Sequence, residues 1–580
     1  MKIKRVTALL AALLVAAFVG TAQQPELEPS PETLQKHVTY LASDKLEGRR
    51  TGSAGASEAA KYIAAEFERL GLQPAHATDS WKINVKSARY LQTFPYIGQV
   101  ELGKKNVLSI GSGETLNLRV GEDWMPLGIS PNQKLDLTGG VVFAGYGITS
   151  NELNYNDYKG TYSKTQVAVI QKGTPDGDNP HGRFTTAGEL RFKVAAAQSA
   201  GVGALLIVSS EDDLKADALA KLHYDNAGLA GIPVAVISRQ VAEKLANAKE
   251  VKLVTDVVRL DVPAYNVVGV IEGSDPVLKN EAIVIGAHYD HLGRGGEGSL
   301  APRSGEIHHG ADDNASGTAG VLELARIFSA QRSQLKRTLV FIAFSGEEEG
   351  LLGSNYYVNH PLVPLDKTIA MINMDMIGRM KDRKLVIGGV GTAKEWHEVV
   401  KTSNDGFELT LNEDGYGPSD HSQFYGKQIP VLFFWTGNHN DYHKPSDTSD
   451  KINYNDEAQV LKMVARIVRD LDVADQRLSY TTAKVDPPRG GGFRVYLGTI
   501  PNYADSNDGL LLDGVRDDSP AAKAGLKAGD KIVKIASREV KNVYDYTYAL
   551  GEMKAGQEYV VEVLRGGEKL TLKITPQARN

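Results

Sequence analysis

Four short apolar runs in the middle of the chain each lead into a loop carrying histidine or acid, and this pairing constrains the fold most tightly. Ile283-Val284-Ile285 leads to His288-Tyr289-Asp290, and Leu339-Val340-Phe341-Ile342 to Glu347-Glu348-Glu349. Ile369-Ala370-Met371-Ile372 leads to Asp375, and Val431-Leu432-Phe433-Phe434 to Asp441-Tyr442-His443. Short apolar runs bounded by polar turns read as buried strands. Their alternation with helical stretches, from about Asp261 to Asp475, predicts an α/β fold with a mainly parallel sheet flanked by helices. Open sheets of this kind bind ligands beyond the carboxyl ends of their strands, so the loops are expected along one edge. A further cluster, Asp312-Asp313-Asn314, opens the helix predicted over Gly317 to Ala330 and joins them there.

Each group alone has an ordinary reading. A loop histidine is usually structural, an Asp before a helix is usually an N-cap, and the run Glu347-Glu348-Glu349 would usually be solvated. It is their shared order that argues for chemistry. The chain has no cysteine, so any metal site must use His, Asp and Glu, donors that zinc accepts. The motifs Ala287-His288-Tyr289-Asp290-His291, Gly310-Ala311-Asp312-Asp313-Asn314-Ala315-Ser316-Gly317, Ser345-Gly346-Glu347-Glu348-Glu349-Gly350-Leu351-Leu352-Gly353-Ser354, Asn373-Met374-Asp375 and Asp441-Tyr442-His443 together resemble the di-zinc aminopeptidase family. Relatives of that family include glutamate carboxypeptidases and glutaminyl cyclases. The resemblance spans about Asp261 to Asp475, and the helical stretch near Thr33 to Pro74 is similar to the family's N-terminal part.

The resemblance implies two Zn2+ per chain and a role for each residue. Asp313 matches the carboxylate bridging both metals, and His288 and Asp375 the remaining ligands of one. Glu348 and His443 match those of the other, and Glu347 matches the general base. Asp290 matches the carboxylate that orients His288, and Tyr442 the residue that supports the oxyanion. A cis peptide is implied between Asp313 and Asn314. Asp312, Glu349, His291, His308 and His309 fall outside the ligand set, as supporting or structural residues, while Asp420 and His421 are candidates for the pocket wall. The implied activity is that of a zinc-dependent exopeptidase, an aminopeptidase acting on peptides. The alternatives are a carboxypeptidase or dipeptidase of the same fold, or a non-catalytic peptide-binding module.

At 580 residues the chain exceeds one ordinary core. The expected segments are a signal peptide at 1–22, an N-terminal part of the peptidase domain at 30–134, an insert at 135–258, the catalytic domain at 259–475 and a last domain at 490–577. Lys2, Lys4 and Arg5, the apolar run from Val6 to about Val19, and Gly20-Thr21-Ala22 read as a secretory signal, which implies export to the periplasm or medium and no membrane association afterwards. The insert resembles a protease-associated domain through Gly201-Val202-Gly203-Ala204 and Ile232-Pro233-Val234. Lys484 to Gly492 is a Pro/Gly-rich linker. Beyond it, Ser519-Pro520-Ala521-Ala522 through Gly529-Asp530 resembles bacterial PDZ domains, with Tyr496-Leu497-Gly498-Thr499 in the place of their carboxylate-binding loop. Such domains capture peptide C-termini by strand addition. With 65 Lys plus Arg against 71 Asp plus Glu, the chain lacks the basic balance of a nucleic-acid binder.

Overall fold

The computed structural model describes residues 27–75, 89–111, 115–151, 153–177, 183–184, 187–209, 224, 228–296, 298–301, 305–483, 495–502, 508–516 and 518–578. The secretory leader and the Lys484–Gly492 linker read from the sequence lie outside these residues. Among the described residues, no helix is long and apolar enough to cross a membrane.

Among the described residues the largest sheet has nine strands. The four strands expected from the sequence lie side by side and parallel at its centre, in the order Thr338–Phe344, Ala282–His288, Thr368–Met374 and Val431–Trp435. The first three are buried along their whole length. This explains why they read as continuous apolar runs rather than alternating ones. The sheet as a whole is mixed, not mainly parallel. Val257–Ile271 runs antiparallel to Thr338–Phe344, and Lys384–Gly388 runs antiparallel to Val431–Trp435. The cause is connectivity, because Val257–Ile271 also pairs antiparallel with Leu91–Leu102, and this long ribbon carries the chain out of the sheet and back.

Helices cover the sheet. Pro31–Leu41 begins at Ser30, whose hydroxyl accepts from the Thr33 amide at 3.2 Å with Pro at the first helical position. Ala54–Arg69 is capped in the same way by Ser53. Its buried stripe of Ala56, Ala59, Ala60, Ile63 and Phe67 recurs at helical spacing. Burying Phe67 alone contributes roughly 2 kcal/mol. Gly317–Ala330 and Tyr454–Val473 complete the layer.

Between the ribbon strands stands a unit of two sheets. One has five strands in the order Trp124–Pro126, Val234–Ser238, Ala204–Ser209, Val167–Gln171 and Val141–Phe143. The other has four, in the order Thr115–Leu118, Val107–Gly111, Glu250–Thr255 and Gln133–Leu137. The expected start at residue 135 therefore falls inside the unit. Antiparallel strands as early as Val107 belong to it, too short and too polar at their ends to stand out from the sequence alone.

The C-terminal domain folds around strands Leu510–Val515, Lys531–Ile535, Tyr559–Arg565 and Glu568–Ile574, with Thr499–Pro501 on the edge. Ser519 caps the helix Pro520–Lys523, accepting from the Ala522 amide at 3.1 Å.

Candidate metal centre

The centre lies beyond the carboxyl ends of the parallel strands, and each strand delivers its group from its last residue or the loop that follows. His288 is the last residue of its strand and Asp375 follows its strand directly. Glu347 and Glu348 lie in the turn after Phe344. Asp313 sits in the irregular turn Ala311–Ser316 ahead of the helix Gly317–Ala330, and the Asp313–Asn314 peptide is cis. Three anchors hold this turn. Asp447 Oδ2 accepts the amides of Asp312 and Asp313 at 3.0 and 3.1 Å. Asn314 Oδ1 accepts from Gly317 and Met376, while its Nδ2 donates to the Met374 carbonyl. Arg49, fully buried, donates to the carbonyls of Leu41, Tyr289, His309 and Gly310 and so ties the first helix to both ligand loops. Arg49 follows Gly48, whose φ of 72° and close approach to the Gly293 carbonyl leave no room for a Cβ.

Two donor sets meet at Asp313. Its Oδ1 lies 3.4 Å from His288 Nε2, which is also 3.3 Å from Asp375 Oδ2 and 3.8 Å from Glu347 Oε2. Its Oδ2 lies 3.1 Å from His443 Nε2, which is 3.3 Å from Glu348 Oε2. His288, Glu347 and Asp375 form one cluster able to hold a cation, and His291, Asp313 and Glu348 a second. His443 turns its other nitrogen away, with Nδ1 2.7 Å from the Gly298 carbonyl. That leaves Nε2 for the centre.

Supporting groups fix these side chains. Asp290 accepts from the Thr51 hydroxyl at 2.8 Å and the Glu347 amide at 3.3 Å, and its Oδ1 is 3.7 Å from His288 Nδ1. The Ser419 hydroxyl donates to Asp375 Oδ2 at 2.9 Å. Asp312 points elsewhere, accepting from the Gly378 amide at 2.7 Å with His439 3.2 Å away. Glu349 pairs with Arg50 at 2.9 Å. His308 faces Ser299, and His309 faces Asp44 and the Pro445 carbonyl.

His291 is the group the sequence reading undervalued. Its Nδ1 lies 2.6 Å from Glu348 Oε1, and its ring packs edge-on to His443 with centroids 5.9 Å apart. The cue available was its place in His288-Tyr289-Asp290-His291, three residues after a candidate ligand. Asp447 had no cue beyond an isolated acid in a polar loop.

A cavity of about 210 Å³ opens on the centre. Asp313, Glu347, Glu348, Asp375, Tyr442 and His443 form its acidic and polar end. Val386, Phe433, Trp435 and Tyr416 form an apolar end. His421 also lines it, stacked on Phe433 at 4.4 Å, and burial lowers its pKa to about 3. Asp420 is not among the lining residues. It is fully buried, and burial pushes its carboxyl up to about 7. Burial, together with the neighbouring carboxylates, raises the Tyr442 hydroxyl well above its ordinary value, so it stays protonated.

Residues 266–468 match a family model described as peptidase family M28, and residues 497–575 match one described as PDZ domain. Among curated proteins, the aminopeptidase YwaD of Bacillus subtilis is 26% identical over 426 residues, covering 71% of this chain and 78% of that protein. Leupeptin-inactivating enzyme 1 of Streptomyces exfoliatus is 31% identical over 188 residues, covering 32% of this chain and 39% of that protein. An aminopeptidase of Pseudomonas aeruginosa is 25% identical over 388 residues, covering 66% of this chain and 63% of that protein. A solved zinc aminopeptidase from Bacillus subtilis aligns over 79% of this chain and 97% of its own at 22% identity, with a TM-score of 0.49.

Proposed function

We infer that this chain, which carries a peptidase family M28 domain at 266–468 and a PDZ domain at 497–575, is a zinc-dependent aminopeptidase that releases N-terminal residues from peptides. The observation that carries the reading is the placement of Asp313, whose two oxygens face different donor sets, one toward His288 and the other toward His443. A carboxylate so placed suits two zinc ions per chain, with His288 and Asp375 completing one site and Glu348 and His443 the other. The donors fit zinc. They are imidazoles and carboxylates, and His288 Nε2 and Asp375 Oδ1 are buried without a hydrogen-bond partner. Such groups are costly to bury unless something else satisfies them.

When bound, zinc supplies Lewis acidity that polarises a carbonyl and acidifies water. Glu347 stands at the centre without being needed to complete either set, which suits it to take the proton of the attacking water and pass it to the leaving amine. Burial and the carboxylates of Asp375, Glu348 and Asp420 raise its proton affinity well above that of an ordinary glutamate, against the opposing pull of His288. Asp290 suits the role of orienting the His288 ring, its main-chain carbonyl lying 3.3 Å and its Oδ1 3.7 Å from His288 Nδ1. Tyr442, protonated and lining the cavity, suits the role of donor to the oxyanion as the carbonyl is attacked. Beside the acidic groups the cavity is lined by Val386, Phe433 and Trp435, which suits an apolar side chain at the substrate's terminus.

The insert is read as a protease-associated domain that serves as a lid or guides substrate. The leader is read as a signal that exports the enzyme. The PDZ domain is read as a site for peptide C-termini. The deciding experiment pairs zinc analysis with hydrolysis of aminoacyl chromogenic substrates and of the same peptides with blocked N-termini. Cleavage of the free series only is expected. Cleavage of the blocked series from its C-terminus would replace the aminopeptidase with a carboxypeptidase.

A further inference from the structure

The PDZ domain reaches the rim of the catalytic cavity. Asp414 lines that cavity beside Asn412 and Tyr416, so it contributes a carboxylate to the apolar end, well apart in sequence from the metal-facing acids. Arg516, which follows the strand Leu510–Val515 of the PDZ domain, donates from Nη1 to Asp414 Oδ2 at 2.5 Å. The pair is largely shielded, with side-chain exposures of 12% for Asp414 and 22% for Arg516. The same guanidinium lies 5.7 Å from the centre of the Tyr416 ring. Gly514, two residues earlier, lets the strand backbone meet the Tyr416 hydroxyl, with which a Cβ at that position would collide. Asp414 is braced from its own side by its Oδ1, which accepts the Tyr416 amide at 3.0 Å. Arg516 in turn is fixed by its backbone, its amide donating to the Gly498 carbonyl at 2.7 Å.

A carboxylate facing a substrate pocket attracts a basic side chain, and in a partly desolvated site that attraction is substantial. Here a second domain already supplies the counter-charge. We propose that Arg516 is a specificity-determining positioning residue: by pairing with Asp414 it withdraws that carboxylate from the pocket, so that the cavity favours apolar over basic N-terminal side chains. Selectivity against basic residues is thereby delegated to the PDZ domain. The proposal rests on the aminopeptidase reading.

The test compares kcat/KM for lysyl and leucyl chromogenic substrates in the full chain and in the variants R516Q, R516K and R516Q/D414N. R516Q is expected to raise the lysyl-to-leucyl ratio roughly 10-fold, within the range that single pocket contacts command. The change should fall mainly in KM for the lysyl substrate, with kcat for the leucyl substrate little altered. R516K keeps the charge and is expected to restore most of the wild-type ratio. R516Q/D414N removes the released carboxylate and should return the ratio toward wild type. An unchanged ratio in an R516Q enzyme that holds its zinc and cleaves the leucyl substrate overturns the proposal alone. A ratio that stays high in the double variant also overturns it, because Asp414 is then not the attracting group. A zinc-loaded wild-type chain that cleaves neither substrate overturns the aminopeptidase reading and takes this inference with it.

Discussion

Glu347 and Glu348 are adjacent in the chain and opposite in proton affinity. Burial raises both, but Glu347 is surrounded mainly by carboxylates and stays high, whereas His291 and His443 hold Glu348 well below the ordinary range. Neighbours therefore divide the pair, which suits Glu347 to the proposed role of base and Glu348 to that of an anionic ligand. Glu347→Gln should keep its metal and lose activity by roughly 100- to 10,000-fold, the range for a general base. Metal analysis alongside steady-state kinetics checks this, and full activity would show that the proton moves by another group. The histidines make a second division. Burial pulls His443 down, but its bonds to Asp313 and Glu348 outweigh that and raise it to about 11. Its Nε2 touches both carboxylates, while His291 Nδ1 lies 4.0 Å from Asp313. His443→Ala should therefore drop the zinc content from two per chain to one, and His291→Ala should weaken binding while leaving the stoichiometry at two under saturating metal. A single zinc in the wild-type enzyme at saturation would remove the bridging role from Asp313.

The elements that carry the donors were the most legible part of the molecule. Ile283-Val284-Ile285 and its three counterparts read as strands because both faces of a central parallel strand are covered, so their apolar runs are uninterrupted. Ser519-Pro520 announced a helix start through the chemistry of its own cap. Other features depended on distant partners that local pattern does not encode. The ribbon Leu91–Leu102 with Val257–Ile271 is defined by pairing across the whole insert. Nothing in Glu47-Gly48-Arg49-Arg50 signalled that Arg49 would be buried against carbonyls more than 200 residues away, at Tyr289, His309 and Gly310. Burial lowers that guanidinium to about 10, with Asp290 and Asp313 opposing the shift, so it stays charged at neutral pH. Its planar fork reaches four carbonyls in three directions, which an ammonium on a flexible stem does not reproduce. Arg49→Lys should destabilise the peptidase domain by about 3 kcal/mol, in the range for disrupting a buried charged network. It should also loosen zinc, because the His288 and Asp313 loops lose their common anchor. Thermal unfolding with and without chelator checks both, and a variant with unchanged melting temperature and zinc affinity would reduce Arg49 to a passive filler.

At the scale of the whole molecule, the last domain is joined to both other units rather than hanging from the linker. Arg516 and Gly514 meet Asp414 and Tyr416 on the peptidase side. On the other side the helix Val543–Glu552 packs against the insert helix Leu190–Ala200, Tyr548 enters the insert's core, and Asn542 donates to the Leu229 carbonyl at 3.3 Å. The PDZ domain thus contacts both the insert and the unit built on the nine-stranded sheet. The ion pair by itself would be worth little if exposed, but it is shielded and accompanied by the Arg516 guanidinium near the Tyr416 ring. Every group proposed to hold zinc or move a proton lies before Asp450, so a chain ending near Ala483 should still bind zinc and turn over small aminoacyl substrates. It should nonetheless differ from the full chain in two ways. Asp414 loses its counter-charge, so the truncated enzyme should show the same shift toward lysyl substrates as R516Q. The insert loses the support of Val543–Glu552, so its helix Leu190–Ala200 should exchange amide hydrogens faster, since local stability follows buried apolar contact. Kinetics on the lysyl and leucyl pair, with hydrogen exchange across the insert, separate these effects. If zinc stays bound but turnover of both substrates collapses, the PDZ domain is part of the catalytic pocket and not only its gatekeeper. If neither selectivity nor exchange changes, the contacts at Asp414 and Leu229 do not hold the three units together in solution.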